Sequence, residues 1–285
     1  MDQPTDDSIL ERFSPATREW FSSSFAAPTP AQAGAWRAIS SGEHSLVIAP
    51  TGSGKTLAAF LWAIDSLVRS EGPRLPHSAH PATEAAEHVA LPTYPAATDP
   101  ASPDPADPTP KPRCRVLYVS PLKALAVDVE RNLRSPLVGI GHAAARLGLP
   151  RPELRVSVRS GDTPADERRR FTRDPSDILI TTPESLFLML TSNAREALRG
   201  VETVIIDEIH AVFGTKRGAH LAVSLDRLDA LLPSPAQRVG LSATVRPPDE
   251  VARFLAGGRP VTTIHPRADK QWDLTVSVPV PDMTE

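Results

Sequence analysis

The sequence has a single cysteine, Cys114, among its 285 residues, which excludes an internal disulfide. Its eight histidines are scattered along the chain, and without a second thiol we predict no structural metal site. No apolar run approaches the length of a membrane-spanning helix, so we predict no membrane partner. The acidic segment 1–7 also lacks the basic and apolar regions of a secretory signal. Together these absences favour a cytoplasmic globular protein.

Lysine is rare in this chain, with five residues against 26 arginines. Three of the five, Lys55, Lys123 and Lys216, lie in polar clusters near the ends of predicted strands, which indicates that their charge has specific uses. The net charge is −3, but the segments 1–20 and 70–113 contribute −3 each. The remaining residues therefore carry a net charge of +3, which is compatible with a nucleic-acid partner without requiring one.

Apolar runs alternate with helical periodicities along most of the chain. The runs predict strands at 46–48, 115–119, 154–158, 177–181, 201–206, 239–241 and 275–281. Helices are predicted over 9–25 with a break at Pro15, from Pro30, over 57–68 and from after Leu125 to about 134, followed by a second stretch to 147. Further helices are predicted from Pro164, from Pro183, over 221–232 and over 247–255. This alternation indicates an α/β fold, a mostly parallel sheet with helices on both faces. Such a sheet binds ligands at the carboxyl ends of its strands.

One long segment, 70–113, departs from this alternation. Eleven of the chain's 31 prolines fall within it, with little apolar periodicity between them. Such a composition cannot bury enough apolar surface to offset the entropy that is lost on ordering. We predict a disordered, proline-rich insertion, and a docking site for a proline-recognising partner is the alternative.

The segment Ala49-Pro50-Thr51-Gly52-Ser53-Gly54-Lys55-Thr56 predicts a phosphate-binding loop between a strand and a helix. Gly52 and Gly54 let the backbone curl so that successive N–H groups point into one concavity, and the following helix adds the positive end of its dipole. Lys55 is expected to reach the β- and γ-phosphates of ATP, and the Thr56 hydroxyl to bind the accompanying Mg²⁺. Ala49 replaces the first glycine of the phosphate-loop pattern. The alternative to a phosphate-binding loop is an ordinary turn with an exposed lysine.

Two further features fit a nucleotide site. Asp207 and Glu208 directly follow the apolar run 201–206, where Asp207 can anchor Mg²⁺ and Glu208 can orient or deprotonate the attacking water. Without the phosphate loop, a pair of helix-capping acids would be the better interpretation. Gln32 lies in the first turn of the helix that begins at Pro30, and its amide offers the donor and acceptor that match adenine.

A charged helix is predicted to begin at Pro164. It carries four arginines, which are Arg168, Arg169, Arg170 and Arg173. An arginine run of this kind is usually a solvated helix face, and we adopt that interpretation here.

Six segments of the chain stand in the order of motifs Q, I, Ia, Ib, II and III of superfamily 2 helicases. They are 25–32, 49–56, 120–125, 181–186, 207–210 and 242–244. The chain resembles that superfamily over nearly its whole length, and 160–164, 181–186 and 213–221 resemble its large helicase-related (Lhr) family. The resemblance implies a RecA-like P-loop NTPase domain of an ATP-dependent DNA helicase that moves 3′ to 5′. It also implies ATP and Mg²⁺ as cofactors and single-stranded nucleic acid as the partner, with DNA favoured over RNA.

The resemblance also implies roles for individual residues. The nucleotide-binding set is Gln32, Thr51, Gly52, Ser53, Gly54, Lys55 and Thr56, with Thr56 and Asp207 as magnesium ligands. The catalytic set is Lys55, Asp207 and Glu208. The backbone of a bound single strand would lie along Pro121, Lys123, Gly161, Thr182 and Pro183. Coupling of nucleotide state to strand movement is assigned to His210, Ser242 and Thr244. Contacts to phosphate and sugar predict sequence-independent, salt-dependent binding.

The resemblance divides the chain into a helical extension, 1–24, a RecA-like domain, 25–266, and a linker, 267–285. The linker would lead to a second RecA-like domain with motifs IV to VI and the arginine finger, which have no counterpart in this sequence. We therefore expect the first motor domain of a longer enzyme. Because loss of an arginine finger costs about 10³–10⁵ in turnover, we expect this chain alone to bind ATP–Mg²⁺ weakly and to hydrolyse it barely above background.

Three alternative functions stay open. The chain could be a non-catalytic, nucleotide-gated module that grips nucleic acid, or part of an RNA helicase, since backbone contacts do not separate DNA from RNA. A small P-loop kinase is disfavoured by the clusters at 207–210 and 242–244.

Overall fold

The computed structural model describes residues 7–71 and 114–266, in which seven parallel strands form one sheet. The strands are β1 (His44–Ile48), β2 (Val116–Val119), β3 (Val156–Arg159), β4 (Ile178–Thr181), β5 (Thr203–Ile206), β6 (Gln237–Ser242) and β7 (Val261–Ile264). The helices are α1 (Asp7–Leu10), α2 (Pro15–Ser24), α3 (Pro30–Ser40), α4 (Lys55–Glu71), α5 (Lys123–Arg146), α6 (Ala165–Arg173), α7 (Pro183–Leu190), α8 (Lys216–Leu231) and α9 (Pro248–Ala256). Short 3₁₀ helices cover Asn193–Leu198 and Ile209–Ala211.

Apolar side chains are buried on both faces of the sheet. One core cluster combines side chains of α1 to α5 with alternate residues of the strands, such as Tyr118 of β2. The other cluster combines side chains of α6 to α9 with the strand residues that point to the opposite face of the sheet, such as Leu117 and Val119 of β2. Successive strand residues point to opposite faces, so strands buried on both sides must be apolar throughout. This arrangement confirms the predicted α/β fold. Among the described helices, none combines the length and the hydropathy that a membrane-spanning helix requires.

The strand order is β3-β4-β2-β5-β6-β1-β7. It places the carboxyl ends of β3, β4 and β2 side by side in one half of the sheet, and those of β5, β6 and β1 in the other. The residues predicted to contact a single strand of nucleic acid follow β2, β3 and β4. The phosphate loop and the segments 207–210 and 242–244 lie at the carboxyl ends of β1, β5 and β6. One edge of the sheet therefore carries two adjacent groups of predicted site residues.

The predicted break in the first helix at Pro15 is confirmed, because α1 and α2 are separate helices. The Ser14 backbone N–H and hydroxyl both donate to Oδ1 of Asp65, at 3.0 and 2.6 Å. Asp65 is fully buried in α4, and its other oxygen lies 2.5 Å from the Arg69 guanidinium. This buried carboxylate anchors the start of α2 to the helix that follows the phosphate loop.

The prediction of two successive helices between Leu125 and Leu147 was wrong, because α5 begins at Lys123 and continues through Pro136 as one helix. A proline normally interrupts a helix by removing one N–H donor and crowding the preceding turn. Leu133 and Ile140, seven residues apart on one face of α5, are both buried in the core. A Cβ atom at Gly139 would collide with the Trp20 indole, so α2 and α5 approach closely here. Tertiary packing on both sides of the proline holds the helix together.

Strand β7 was not predicted, because its sequence, Val-Thr-Thr-Ile, is short and only partly buried. It pairs with β1 as an edge strand, with Ser45 opposite Thr262. The strand predicted over 154–158 lies instead at Val156–Arg159. The predicted strand 275–281, the linker 267–285 and residues 72–113 of the predicted insertion lie outside the described residues.

A buried arginine stabilises the amino-terminal end of the sheet. The Arg238 side chain in β6 is 1% exposed and lies 2.7 Å from Oδ2 of Asp229. It also donates to the Leu255 carbonyl at 2.9 Å. Asp229 bridges a second arginine, Arg259, at 2.9 Å. The network joins β6, α8, the end of α9 and the turn before β7.

We predict that stability falls between pH 6.5 and 4 because of His44, which begins β1. Burial, aided by Arg259 and Arg238 and opposed by Asp229, lowers its pKa from 6.5 to about 4. The neutral Nδ1 accepts the Arg238 backbone N–H at 3.0 Å. The unfolded chain therefore binds more protons in this window, so stability is present above pH 6.5 and is lost as the pH falls, by at most about 3 kcal/mol.

Urea unfolding at pH 7 and pH 5 measures this loss. In His44→Asn the amide oxygen can replace Nδ1 as the acceptor but does not titrate. We expect a smaller loss of stability between the two pH values in this variant. An equal loss in both proteins would contradict the assignment to His44.

Candidate nucleotide and strand-binding site

The predicted phosphate loop lies between β1 and α4, as the sequence indicates. Gly52 and Gly54 have φ angles of +82° and +78°, a region that residues with side chains rarely adopt. The loop begins beside β6, where the Ala49 N–H donates to the Ser242 carbonyl at 3.0 Å. Helix α4 begins at Lys55, so its amino terminus completes the loop. This backbone geometry is the one that binds polyphosphates at helix amino termini.

Helix α3 supports the loop through a capping box between Thr29 and Gln32. The Thr29 hydroxyl accepts from the Gln32 N–H, and the Gln32 side chain accepts from the Thr29 N–H. Thr29 also donates to the Ser53 carbonyl at 2.8 Å, and the Gln32 amide nitrogen lies 3.5 Å from the Gly54 carbonyl. A Cβ atom at Gly54 would collide with this amide. The Gln32 amide thus already holds the loop, and adenine recognition by Gln32 stays a prediction.

Two donors in the loop have no protein partner within the described ranges. The Ser53 hydroxyl is buried without a hydrogen bond. Lys55 is only 5% exposed and forms neither a hydrogen bond nor an ion pair there. An ammonium group without a protein partner is available to an anionic ligand, to which it can donate charge-assisted hydrogen bonds. The residues present therefore fit a bound phosphate.

Asp207 and Glu208 follow β5, as predicted, and Asp207 is 4% exposed. The buried Tyr118 hydroxyl donates to Oδ2 of Asp207, and the Glu208 N–H donates to Oδ1 at 2.9 Å. Burial, followed by the Asp207 charge, raises the pKa of Tyr118 well above its ordinary value. The phenol therefore stays a proton donor that orients the carboxylate. Sequence reasoning missed Tyr118, whose only signal is a polar atom in an otherwise apolar strand.

Glu208 has a left-handed backbone, with φ 44° and ψ 44°, and is the only residue other than glycine with positive φ in the described ranges. Such strain concentrates at functional sites. Nδ1 of His210 lies 3.3 Å from Oε2 of Glu208 and 3.0 Å from Oγ of Ser242. Ser242 in turn donates to the Thr244 carbonyl at 3.2 Å. The structure thus joins the carboxylate of Glu208, predicted to be catalytic, to all three predicted coupling residues.

The predicted strand-contact residues occupy the other half of the sheet edge. Thr182 caps α7 by accepting the Ser185 N–H at 3.4 Å, and Pro183 is the first residue of that helix. Gly161 follows β3, and its carbonyl accepts from Arg168 at 2.7 Å. Pro121 follows β2, next to the start of α5 at Lys123, whose side chain lies outside the described part. No described contact links these residues to the phosphate loop.

Arg217 was not predicted as a site residue, although it joins several predicted segments. It donates to the Pro121 carbonyl at 2.6 Å and forms a bidentate pair with Glu184, with Nη2 2.9 Å from Oε2. This pair lowers the pKa of Glu184 and raises that of Arg217. The segment after β2, the start of α7 and the start of α8 are thereby held together. The described residues contain no group of three or more His, Cys, Asp or Glu side chains that could hold a metal by themselves.

Comparison with known proteins agrees with this geometry. The DEAD/DEAH box helicase family matches residues 29–253. The chain is 61% identical over 96% of its length to a Lhr helicase of Mycolicibacterium smegmatis, and 52% identical over its full length to the Lhr helicase/uracil glycosylase of Escherichia coli. It spans 16% and 17% of the lengths of these two relatives.

A solved structure of the Mycobacterium smegmatis helicase Lhr bound to ssDNA and AMP-PNP is also similar. It is 60% identical to this chain, with a TM-score of 0.77 over 97% of this chain and 31% of that one. The sheet and its helices therefore share the RecA-like fold of helicase motor domains.

Proposed function

Because this chain belongs to the DEAD/DEAH box helicase family and is similar to Lhr helicases, we propose that it is the ATP-binding motor domain of a DNA helicase. The observation that carries the proposal is the loop 49–56, in which the buried Ser53 hydroxyl and the ammonium of Lys55, a residue only 5% exposed, have no protein partner in the described ranges. Nucleotide binding would supply that partner. The M. smegmatis structure that contains AMP-PNP and ssDNA supports the same ligands here.

In this proposal the loop residues hold ATP. The N–H groups of residues 51–56 and the Lys55 ammonium would bind the phosphates, and the Thr56 hydroxyl and the Asp207 carboxylate would bind Mg²⁺. Tyr118 holds Asp207 in place through its hydroxyl. When bound, ATP–Mg²⁺ would supply the phosphoryl group to be cleaved and the cation that neutralises its charge. Gln32 is proposed to contact adenine.

Glu208 is proposed to orient the attacking water and to accept its proton on the carboxylate. Its strained backbone and its contact with His210 fix the position of that carboxylate. His210 also contacts Ser242, and Ser242 contacts Thr244. A displacement of Glu208 during the reaction would therefore reach the segment after β6. We propose this chain of contacts as the route by which nucleotide state affects strand binding.

The strand is proposed to lie over the ends of β2, β3 and β4. Pro121, Lys123, Gly161, Thr182 and Pro183 would contact its backbone. We propose the division given above into a helical extension (1–24), a RecA-like domain (25–266) and a linker (267–285). The proposed partners include a second RecA-like domain, since the relatives are longer chains. A cytoplasmic location stays a prediction.

Nucleotide-dependent strand binding tests the proposal. Fluorescence anisotropy would compare labelled single strands of DNA and RNA with and without AMP-PNP–Mg²⁺. We expect the nucleotide to raise the affinity for DNA about fivefold or more, the lower range of typical coupling between sites. In His210→Ala the contacts to Glu208 and Ser242 are lost, so we expect the nucleotide-dependent increase in affinity to disappear. The affinity for the strand without nucleotide should be retained.

His142→Ala is the matched control, since His142 is an exposed histidine on α5. We expect it to keep the full nucleotide effect. Equal strand affinity with and without nucleotide in the unmodified chain would refute the motor proposal. A stronger effect on RNA than on DNA would favour an RNA helicase instead.

A further inference from the structure

A groove of about 640 Å³ lies beside the end of β3, between α6 and the 3₁₀ helix Asn193–Leu198. Four arginines line it, which are Arg159, Arg168, Arg169 and Arg173. Its remaining lining residues are Thr172 and residues 192–194. None of the described residues that line the groove is a carboxylate, so these walls do not neutralise its positive charge.

None of these four guanidinium groups has an ion-pair partner in the described part of the chain, and Arg168 donates only to the Thr163 and Gly161 carbonyls. Nη1 of Arg159 is buried without any hydrogen bond. Arg169 and Arg173 are exposed and one helical turn apart on α6, and neither forms an ion pair there. Burial, with a smaller effect of Arg168, lowers the pKa of Arg159. Guanidinium groups in this situation favour an anion with several oxygen acceptors.

The groove is continuous with the proposed strand-contact residues. Arg159 is the last residue of β3, and its carbonyl accepts from the Thr181 hydroxyl at 2.7 Å. Thr181 directly precedes Thr182. Arg168 reaches from α6 to the Gly161 carbonyl at 2.7 Å. A strand that crosses Gly161 and Thr182 therefore passes the mouth of the groove.

We propose that this groove binds the phosphodiester backbone of the single strand beyond its contacts at Gly161 and Thr182. The proposal rests on the proposed function, whose strand it extends. Guanidinium forks bind phosphates in bidentate fashion, and the Thr172, Ser192 and Asn193 side chains add neutral polar groups. The arginine run of α6, interpreted above as a solvated face, would then be a phosphate-binding surface.

The salt dependence of strand binding tests this inference. Each phosphate contact to a single strand contributes about 0.7 to the slope of log K against log salt concentration. Arg169→Ala/Arg173→Ala should therefore reduce the slope by about 1.4 for two contacts. Arg169→Lys/Arg173→Lys retains both charges, and we expect it to retain most of the slope. Unfolding curves of both variants check that the exposed substitutions leave the fold intact.

The matched control is Arg134→Ala/Arg253→Ala, which removes the same charge from exposed positions on α5 and α9. We expect its slope to equal that of the unmodified chain. If AMP-PNP still promotes strand binding but the groove variant keeps the original slope, the groove proposal is wrong and the motor proposal stands. If the unmodified chain shows no nucleotide-dependent strand binding, both fail.

A polyglutamate peptide provides a second test. We expect it to compete with the strand for the unmodified chain and to compete less well for the alanine variant. Binding of the peptide to the groove without any competition with the strand would overturn the inference and indicate an acidic protein partner instead.

Discussion

Lys55→Ala is expected to lose about half to nine-tenths of the stabilisation that ATP–Mg²⁺ gives to this chain. A ligand at 100 times its Kd stabilises a protein by about 2.7 kcal/mol, which raises Tm by about 5–10 °C for a domain of this size. Loss of a charged hydrogen bond costs about 1.5–3 kcal/mol, so Kd should rise about 10- to 150-fold. At the same nucleotide concentration the stabilisation should fall to about 0.3–1.4 kcal/mol. Thermal unfolding with and without AMP-PNP–Mg²⁺ measures this difference.

The nucleotide-free variant provides an internal check. Lys55 has no partner within the described residues, so its removal breaks no hydrogen bond or ion pair there. We expect the Tm of Lys55→Ala without nucleotide to equal or exceed that of the unmodified chain. Lys216→Ala, which removes an exposed lysine at the start of α8, should keep the full nucleotide effect. An undiminished shift in Lys55→Ala would remove the phosphate-binding role from this residue.

Arg238→Ala is expected to destabilise the fold by about 3–5 kcal/mol, the usual cost of removing one partner from a buried ion pair. The change leaves the Leu255 carbonyl without the Arg238 donor, and among the described residues Arg259 becomes the one charged partner of Asp229. For a domain of this size the Tm should fall by about 10 °C. Thermal unfolding at pH 7 in the absence of nucleotide measures the loss.

The matched control is Arg253→Ala. Arg253 pairs with Glu250 on α9, and the two side chains are 65% and 50% exposed. Exposed pairs contribute about 0–1 kcal/mol, so this variant should unfold close to the unmodified chain. If both variants lose the same stability, the buried network around Asp229 is not what stabilises this end of the sheet.

The phosphate loop is recognisable from the sequence alone, because its geometry depends on neighbours in the chain. Gly52 and Gly54 adopt positive φ angles for a local reason, and Thr29 and Gln32 form their capping box within one helical turn. The alternation of apolar runs and helical stripes likewise indicated a parallel sheet. Positions with strong local preferences are the ones that sequence patterns predict well.

Packing overrode the local sequence preference at two elements, α5 and β7. Helix α5 continues through Pro136 because Leu133 and Ile140 are buried on either side of it. Strand β7 forms because β1 offers it an edge, not because its own sequence is strongly apolar. In both cases contacts from elsewhere in the chain outweigh a weak local preference.

The arrangement of the site depends on contacts between distant segments. Tyr118 reaches Asp207 across 89 positions of sequence, and His210 reaches Ser242 across 32. No local pattern encodes such pairs, since they arise only when β2, β5 and β6 align in register. The same strand order puts the nucleotide residues in one half of the sheet edge and the strand-contact residues in the other. Local chemistry thus indicated which residues could act, and long-range packing determined which of them act side by side.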